Sequence, residues 1–513
     1  MTSDKKYPTG WMPQMSDNLY ELFESRFPAD RAELFIETGD GRRYSYADLE
    51  SWSGRIANLL VALGVTPGDR IAVQVDKSPE AIFLYLACLR VGAAYLPLNT
   101  AYQQAEIEYF LTDAEPRVAV CRPGTEAWVG ECARKAGTPH VLTLGGAQDG
   151  TLVEQARTLS PDFATVARGR DDLAAILYTS GTTGRSKGAM LTHWNLASNA
   201  LTLHRVWHFQ PGDVLLHALP IFHTHGLFVA TNCILLNGSS MIFLPKFDAD
   251  EIVKLLPRAT VMMGVPTFYV RLLAHDGFTR DLTQHMRLFV AGSAPLLADT
   301  FNQFRERTGQ AILERYGMTE TGMLTSNPYE GDRLPGSCGM ALPDVEVRIA
   351  DENGKALPVG ETGVIEVRGP NVFKGYWRMP EKTRAEIRED GFFITGDVGR
   401  VDERGYVWIS GRAKDLIISG GFNVYPKEVE EEIDQMDGVE ESAVIGVPHP
   451  DFGEAVVAVA TARAGQTPPA PEAVIAQLKT RLAGYKVPKQ VFFVAELPRN
   501  TMGKVQKNLL REQ

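Results

Sequence analysis

The segment best suited to chemistry is Tyr178-Thr-Ser-Gly-Thr-Thr-Gly-Arg-Ser-Lys-Gly188, which follows an apolar strand pattern and precedes a helical stretch. Its glycines and hydroxyl side chains let backbone N–H groups approach phosphate oxygens closely, and Lys187 adds a positive charge. The GxxxxGK(S/T) spacing of a Walker A loop is absent. We interpret the segment as a phosphate-binding turn, although glycine and hydroxyl residues also mark ordinary surface turns.

Three further segments offer charged side chains. Glu320 in Tyr316-Gly-Met-Thr-Glu-Thr321 offers a carboxylate. Asp397 in Ile394-Thr-Gly-Asp397 offers a second carboxylate, an acceptor-only group. Lys504 closes Leu497-Pro-Arg-Asn-Thr-Met-Gly-Lys504 and is charged near neutral pH unless it is buried. Taken singly, these segments also fit a helix-capping Thr-Glu pair, a turn aspartate and a solvated lysine.

Composition limits the classes of function. The chain has 513 residues, and single cores stop growing at roughly 250–300 residues, so two or more domains are expected. Its net charge of −11 gives no general attraction for nucleic acid or anionic membranes, so anionic substrates need local basic sites. The five scattered cysteines show no CxxC spacing, and the N-terminus lacks the apolar stretch of a signal peptide. We therefore expect a reduced, cytoplasmic protein without disulfides or zinc.

Short apolar runs alternate with helical patterns, which predicts an α/β fold whose sheets are covered on both faces. A helix is predicted from Pro79 to about Arg90, with Ser78 as its N-cap. The predicted strands are Ile71–Val75, Val118–Cys121, Val141–Leu144, Ala174–Tyr178, Val214–Leu219, Met241–Leu244, Val261–Val265 and Arg287–Ala291.

The pattern changes towards the C-terminus. A small β region follows Pro343, with a hairpin turn signal at Asn353-Gly354. Beyond residue 412 the chain reads as a smaller α+β unit of a common domain size. We predict a large N-terminal domain, residues 1–412, and a mobile C-terminal domain, residues 413–513.

Together and in this order, these segments resemble the adenylate-forming superfamily, which includes acyl-CoA synthetases, firefly luciferase and the adenylation domains of peptide synthetases. The resemblance extends from about Leu22 to Arg511. It implies an ATP-dependent ligase that makes an acyl-adenylate and passes the acyl group to the thiol of coenzyme A. It also implies that Thr179, Glu320 and Lys504 are catalytic and that Glu320 binds Mg²⁺. The implied nucleotide-binding residues are Thr179, Ser180, Gly181, Thr182, Thr183, Gly184, Lys187, Ser293, Ala294, Pro295, Glu314, Arg315, Tyr316, Gly317, Met318, Thr319, Asp397 and Arg412.

The resemblance also assigns moving parts. Lys414 corresponds to a hinge about which the C-terminal domain turns, and Ser419, Gly420 and Gly421 correspond to the tunnel that admits CoA. The carboxylate is expected to attack the α-phosphorus of ATP while Lys504 stabilises developing charge. Rotation about Lys414 then withdraws Lys504 for thioester formation. Some bacterial relatives are inhibited by acetylation of the matching lysine, so a lysine acetyltransferase acting on Lys504 is a hypothetical partner.

Within the superfamily the chain is most similar to malonyl-CoA synthetases, in segments Tyr95–Ala101, His223–Leu227 and Met263–Leu272. Malonate carries a second carboxylate, which a guanidinium can bind bidentately. We therefore predict Arg271 as its ligand, with His223 and Ser293 as polar neighbours, although Arg271 could equally cover a helix surface. The substrates would be malonate or a similar acid such as methylmalonate, with ATP and CoA.

Other functions remain open from the sequence. A fatty-acid or other short-chain acyl-CoA synthetase would need an apolar tunnel without a cation. A stand-alone adenylation enzyme could load a separate carrier protein. A luciferase-like oxidase is a remote alternative. A nucleotide-binding module without catalysis fits less well, because a simple binder would not need the lysine at position 504.

Overall fold

The protein was analysed as a computed structural model that describes residues 17–179, 186–419, 422–449, 453–482, 484–500 and 503–512. The first half contains α1 (Leu19–Glu24), β1 (Leu34–Thr38), β2 (Arg43–Ser45), α2 (Tyr46–Ala62), β3 (Arg70–Gln74), α3 (Pro79–Val91), β4 (Ala94–Pro97), α4 (Gln104–Ala114), β5 (Val118–Cys121), α5 (Glu126–Ala136), β6 (His140–Thr143), α6 (Thr151–Ala156), β7 (Leu173–Thr179), β8 (Lys187–Thr192), α7 (His193–Val206), β9 (Val214–His217), a π-helix (His225–Thr231), α8 (Asn232–Asn237) and β10 (Ser240–Phe243).

The second half continues with α9 (Ala249–Leu255), a 3₁₀ turn (Leu256–Arg258), β11 (Val261–Gly264), α10 (Pro266–Leu273), α11 (Arg280–Thr283), β12 (Leu288–Ala291), α12 (Ala298–Thr308), β13 (Leu313–Met318), β14 (Gly322–Ser326), β15 (Met340–Ala341), β16 (Glu346–Ala350), β17 (Gly363–Arg368), β18 (Gly375–Tyr376), α13 (Pro380–Glu386), β19 (Phe393–Val401), β20 (Val407–Arg412), a 3₁₀ turn (Ala413–Asp415), β21 (Ile417–Ser419), β22 (Phe422–Val424), α14 (Pro426–Asp434), β23 (Val439–His449), β24 (Gly453–Ala462), α15 (Pro471–Leu478), β25 (Gln490–Val494) and α16 (Lys507–Arg511).

Helix α3 illustrates how local sequence sets an element. The Ser78 side chain accepts a hydrogen bond from the Ala81 N–H, Pro79 occupies the first turn, and Gly92 ends the helix at φ 74°. Every residue of α3 is buried, which explains its nearly continuous apolar sequence. The predicted helix and its cap are confirmed.

The first of two structural units contains the described residues up to Lys246, together with Thr319–Gly322 and Phe373–Pro380. Its larger sheet has the strand order β18-β8-β7-β4-β3-β5-β6. Strands β7, β4, β3, β5 and β6 are parallel, and β8 pairs antiparallel with both β7 and β18. A second set of strands in this unit follows the order β9-β10-β1-β2.

The second unit contains Phe247–Met318, Met323–Val372 and the described residues from Glu381 onwards. Strands β11, β12 and β13 are parallel, and β16, β17, β19 and β20 form an antiparallel sheet. The Asn353-Gly354 turn forms as predicted, but it brings Ala350 against Ala356 and does not join β16 directly to β17. The mixed α/β fold with an additional β region is confirmed.

The C-terminal segment has its own apolar core. Side chains from β21, β23, β24, α14 and α15, including Ile417, Val444, Val456 and Leu478, pack into one buried cluster. This packing supports an independent C-terminal domain, and the boundary at residues 412 and 413 stays a prediction. In the part of the chain that is described, no helix is long and apolar enough to cross a membrane.

Candidate active site

The segment interpreted as a phosphate-binding turn connects two strands, β7 and β8, that pair antiparallel. Thr179 ends β7, Lys187 begins β8, and these two residues are direct cross-strand partners. The helical stretch expected after the segment is α7, which begins at His193, and the short strand β8 lies between the two. Ser180, Gly181, Thr182, Thr183 and Gly184 lie outside the described residues.

Glu320 lies in the short turn that joins β13 to β14, so the alternative of a helix-capping Thr-Glu pair does not apply. Its Oε1 accepts hydrogen bonds from the Thr179 hydroxyl at 3.3 Å and from the Tyr376 hydroxyl at 3.1 Å. The Lys187 Nζ stands 4.1 Å from the centroid of the Tyr376 ring. The first unit therefore brings a carboxylate, an ammonium and a threonine hydroxyl together beside the turn.

The carboxylate of Glu320 suits a divalent cation. A carboxylate has about four lone-pair sites, and two neutral donors on one oxygen leave acceptor capacity for a metal. In the described part of the chain no group of three or more His, Cys, Asp or Glu side chains could hold a metal. A cation at Glu320 would therefore need substrate phosphates as further ligands, as Mg²⁺ commonly does. When bound, Mg²⁺ would neutralise phosphate charge.

The second unit supplies a polar cluster on two further strands. Asp397 and Arg412 are cross-strand partners on β19 and β20, and Arg412 Nε lies 2.8 Å from Asp397 Oδ1. Tyr316 donates its hydroxyl to Asp397 Oδ2 at 2.5 Å. Burial, followed by the charge of Asp397, raises the pKa of Tyr316 well above its ordinary value, so this hydroxyl stays protonated as a donor. Gly317, Met318 and Thr319 follow Tyr316 and are partly exposed.

The turn Gly292-Ser-Ala-Pro295 follows β12 with strained backbone geometry. Ser293 has a φ of 74°, a left-handed conformation that is uncommon for a residue with a side chain and often marks functional sites. The Leu296 N–H, just beyond the turn, donates to Glu314 Oε1 at 3.1 Å. Glu314 on the neighbouring strand β13 therefore holds the turn in place.

Glu314 and Arg315 are adjacent buried ionisable residues, with 4% and 3% of their surfaces exposed. Burial raises the pKa of Glu314 to about 8 and lowers the pKa of Arg315 to about 10. Glu314 Oε2 and the Nε and Nη2 atoms of Arg315 have no hydrogen-bond partner among the described residues. At pH 7 this pattern favours a neutral Glu314 beside a charged Arg315.

The predicted acid-binding side chains lie in different environments. Arg271 is exposed on α10, with its guanidinium carbon 5.9 Å from the Phe247 ring centroid, so it covers a helix surface. His223 precedes the π-helix, and its Nδ1 accepts a hydrogen bond from the His225 N–H at 3.2 Å. π-helical segments are frequent at functional sites, which agrees with a role for His223.

Lys504 is exposed in a tight turn that Asn500 organises. The Asn500 side chain accepts from the Lys504 N–H at 2.9 Å, and the Asn500 N–H donates to the Lys504 carbonyl at 2.9 Å. A Cβ added to neighbouring Gly503 would lie 3.5 Å from Thr267 Oγ1, so this turn approaches the first turn of α10. Lys504 is thus accessible on a turn beside the helix that carries Arg271.

The assigned hinge and tunnel residues lie together in the chain. Lys414 is exposed in the 3₁₀ turn Ala413–Asp415 between β20 and β21, and Ser419 is buried at the end of β21. Gly420 and Gly421 lie outside the described residues. Tyr376 had no assigned role from the sequence, although an aromatic pair in Lys374-Gly375-Tyr376-Trp377 next to a glycine was a signal available there.

Comparison with known families identifies the protein class. The profile of the AMP-binding enzyme family matches residues 22–377, and that of the AMP-binding enzyme C-terminal domain matches residues 428–504. The chain belongs to the AMP-binding enzyme family. It is an AMP-forming acid–CoA ligase that uses ATP and CoA, which confirms the enzyme class and the substrates implied by the resemblance. Mg²⁺ is usual for such enzymes.

Individual AMP-binding enzymes align over nearly the whole chain. A feruloyl-CoA synthase from an Amycolatopsis species is 38% identical over 92% of this chain and 94% of its own length. A malonate–CoA ligase from Arabidopsis thaliana is 33% identical over 97% of this chain and 89% of its own. The ATP-bound crystal structure of MatB from Rhodopseudomonas palustris is 61% identical, with a TM-score of 0.94, and covers 97% of this chain and 99% of its own.

The pKa of Glu314 predicts a specific pH dependence of stability. Because the folded state holds this proton up to a pH near 8, whereas the unfolded carboxyl releases it near 4.5, Glu314 makes folding less favourable as pH rises between these values. Glu314→Gln keeps an acceptor for the Leu296 N–H but cannot ionise. The difference in melting temperature between this variant and wild type should therefore shift in favour of the variant from pH 5 to pH 8.5. The corresponding difference in the free energy of unfolding should change by at most about 1.4 kcal/mol per pH unit.

A matched control is Glu366→Gln. Glu366 is also fully buried, but it forms ion pairs with Arg348 at 2.7 Å and Arg388 at 2.9 Å. Its neutral variant should lose stability at every pH tested, because it breaks these pairs. A melting-temperature difference for Glu314→Gln that does not change with pH would contradict the assignment.

Proposed function

We propose that this enzyme is a malonate–CoA ligase, which forms malonyl-adenylate from malonate and ATP and then malonyl-CoA. The observation that supports this choice of acid is the buried guanidinium of Arg315, which has two donor nitrogens without partners among the described residues. Leaving a buried charge unpaired costs about 3–5 kcal/mol, so an anion bound there would recover a large free energy. A dicarboxylic acid supplies such an anion.

The position of Arg315 connects it to the predicted acid pocket. Parallel pairing aligns Ala291 with Glu314, so the next residues, Gly292 and Arg315, lie opposite each other on the other face of the strands. A Cβ at Gly292 would lie 2.4 Å from Arg315 Cζ, so a side chain at position 292 would displace this guanidinium. The resemblance implies that the turn beginning at Gly292 borders the adenine and acyl pockets. Arg315 would therefore shorten that pocket and give it a positive charge.

Glu314 does not neutralise this charge. Its side chain lies on the opposite face of β13, where it accepts a hydrogen bond from the Leu296 N–H. With a pKa of about 8 it is mostly protonated at pH 7, while Arg315, with a pKa of about 10, remains charged. An incoming carboxylate would thus meet a cation that has no competing anion on its own strand.

The other assigned residues take supporting roles in this proposal. Ser293 would contribute a hydroxyl from its left-handed turn, and His223 would contribute an imidazole. Exposed Arg271 would attract the dianion towards α10, which is a weaker contribution than a buried cation makes. Thr179, Lys187 and Glu320 would hold the metal-bound triphosphate, and Asp397 and Arg412 the ribose.

The relatives alone do not decide the acid. The feruloyl-CoA synthase is 38% identical, whereas malonate–CoA ligases from Arabidopsis thaliana and Bos taurus are 33% and 35% identical. A monocarboxylic acid such as ferulate or a fatty acid would leave Arg315 without its anion. The CoA ligases among the relatives favour CoA over a carrier protein as the acyl acceptor, and a test for CoA-dependent AMP release distinguishes the two.

Arg315→Met tests the choice of acid, because methionine keeps much of the side-chain volume but loses the charge. We expect kcat/KM for malonate to fall about 100-fold or more, since hydrogen bonds to charged groups contribute about 1.5–3 kcal/mol and two are lost. Activity with acetate should change little. The measurement is AMP formation with CoA across malonate, methylmalonate, acetate and octanoate.

Arg333→Met provides a matched control in the same unit. Arg333 is half-buried, and its donors bind the carbonyl oxygens of Pro328, Tyr329 and Ala311 at 2.6–3.0 Å. This variant should lose stability without changing the order of acid preference. An Arg315→Met enzyme that still prefers malonate, or a wild-type enzyme that prefers octanoate, would rule out the proposal.

Lys504 is proposed to act in adenylate formation only. Lys504→Ala should lower adenylate formation by at least about 100-fold, because the positive charge stabilises the transition state, and thioester formation from supplied malonyl-adenylate should change little. Lys504→Gln should behave in the same way, as would an enzyme acetylated at this exposed lysine by an acetyltransferase. Rapid-quench assays of each half-reaction measure both effects.

Lys479→Ala removes another exposed lysine of the C-terminal segment and serves as the control. It should leave both half-reactions unchanged. Equal losses in the rates of the two half-reactions in Lys504→Ala would exclude a role of Lys504 confined to adenylate formation. The same result would exclude the proposed rotation of the C-terminal domain between the two steps.

A further inference from the structure

Tyr376 is the residue that links the two charged groups beside the phosphate-binding turn. It lies on the two-residue strand β18, which pairs with the middle of β8, where Tyr376 opposes Ala189. Lys187 precedes Ala189 by two positions, so both side chains lie on the same face of β8. Thr179 is the direct partner of Lys187 on β7. Pairing thus brings Thr179, Lys187 and Tyr376 to one face of three neighbouring strands.

The contacts of Tyr376 join Glu320 to Lys187. Its hydroxyl donates to Glu320 Oε1 at 3.1 Å, and its ring centroid lies 4.1 Å from the Lys187 Nζ. The three side chains are nearly inaccessible to solvent, with exposed fractions of 2% for Tyr376, 5% for Glu320 and 8% for Lys187. In such a site both a charge-assisted hydrogen bond and a cation–π contact are stronger than they would be in water.

The backbone around Tyr376 makes this arrangement rigid. The Phe373 N–H donates to the Glu320 carbonyl at 2.7 Å, and the Trp377 N–H donates to the Gly188 carbonyl at 2.7 Å. One short segment is therefore bonded to the chain at Glu320 on one side and to β8 on the other. Neither the carboxylate nor the ammonium can move far without breaking a contact to this segment.

We propose that Tyr376 is a positioning residue that sets the Glu320 carboxylate and the Lys187 ammonium relative to each other for binding of metal-bound triphosphate. The hydroxyl donates a hydrogen bond to one oxygen of Glu320 and so fixes the orientation of the carboxylate towards a bound cation. The aromatic ring limits where the Lys187 ammonium can lie and so sets its position for the phosphates. This role rests on the proposed functions of Glu320 and Lys187 but does not depend on which acid the enzyme uses.

Two substitutions separate the hydroxyl from the ring. Tyr376→Phe removes the bond to Glu320 and keeps a ring under Lys187, whereas Tyr376→Leu removes both contacts. We expect Tyr376→Phe to weaken binding of Mn²⁺, used as a paramagnetic probe with α,β-methylene-ATP, by about tenfold or more, because a hydrogen bond to a charged group is lost. Tyr376→Leu should in addition raise the Kd of the nucleotide measured without metal. Titration by electron paramagnetic resonance and by calorimetry gives these values without turnover.

Tyr46→Phe is the matched control. Tyr46 is also fully buried in the first unit, and its hydroxyl donates to the Ser239 carbonyl at 2.6 Å, a contact with no part in the proposed site. The Tyr46→Phe variant should have a lower melting temperature and unchanged Mn²⁺ binding.

In kinetic assays Tyr376→Phe should raise the Mg²⁺ concentration needed for adenylate formation and leave thioester formation from malonyl-adenylate unchanged.

The outcomes separate this inference from the proposed function. Tyr376→Phe binding Mn²⁺ as tightly as Tyr46→Phe does would overturn the positioning role, even if malonate remained the preferred acid. Conversely, the enzyme could prefer another acid while Tyr376→Phe still bound Mn²⁺ more weakly. That result would reject the proposed substrate and support the positioning role. Equal weakening in Tyr46→Phe and Tyr376→Phe would reduce the effect to general destabilisation and would also overturn the role.

Discussion

Adenylation requires a carboxylate to attack a triphosphate, so the enzyme must hold two anions close together in a chain whose net charge is −11. Long-range attraction cannot achieve this, and each anion needs its own local cation. We propose three basic side chains for the task, Lys187, Arg315 and Lys504, which differ in their surroundings. Because each anion is bound by its own local cation, a few basic side chains carry the proposed chemistry.

The surroundings of each basic side chain match its proposed task. Lys187 lies over the Tyr376 ring in a cation–π contact, which suits an ammonium proposed to bind phosphate. Arg315 is buried beside Gly292 with two donor nitrogens that lack partners among the described residues, and a guanidinium keeps its proton there as a lysine would not. Lys504 is exposed on a turn that is stabilised by Asn500, which suits a group that must approach one reaction and leave before the next.

Much of the fold could be predicted from the sequence, because buried parallel strands and capped helices have strong local patterns. Strand β5 and helix α3 match their predicted bounds closely. The apolar run that predicts β5 and the Ser78-Pro79 signal that predicts the start of α3 each depend only on residues close together in the sequence. The order of elements around the turn could not be predicted in the same way. Strand β8 begins at Lys187, near the end of the segment that was interpreted as a phosphate-binding turn, and no strand was predicted there.

The limits at the site come from tertiary contacts. Tyr376 meets Glu320 and Lys187 only because a two-residue strand from a distant part of the chain pairs with β8. The resemblance assigns Arg315 to the nucleotide, whereas the proposal that it binds the acid rests on its burial and on two donor nitrogens without partners among the described residues. Arg271 has the residue type for malonate but lies at an exposed position on α10. Burial and pairing, which decide between such arginines, are properties of the folded chain.

The most direct test of the account is a crystal structure of the enzyme with a non-hydrolysable malonyl-adenylate analogue. The account predicts that the distal carboxylate of the malonyl group lies within hydrogen-bond distance of Arg315 Nε or Nη2, beside the turn at Ser293. A distal carboxylate that points into solvent, with Arg315 bonded to protein groups alone, would contradict it.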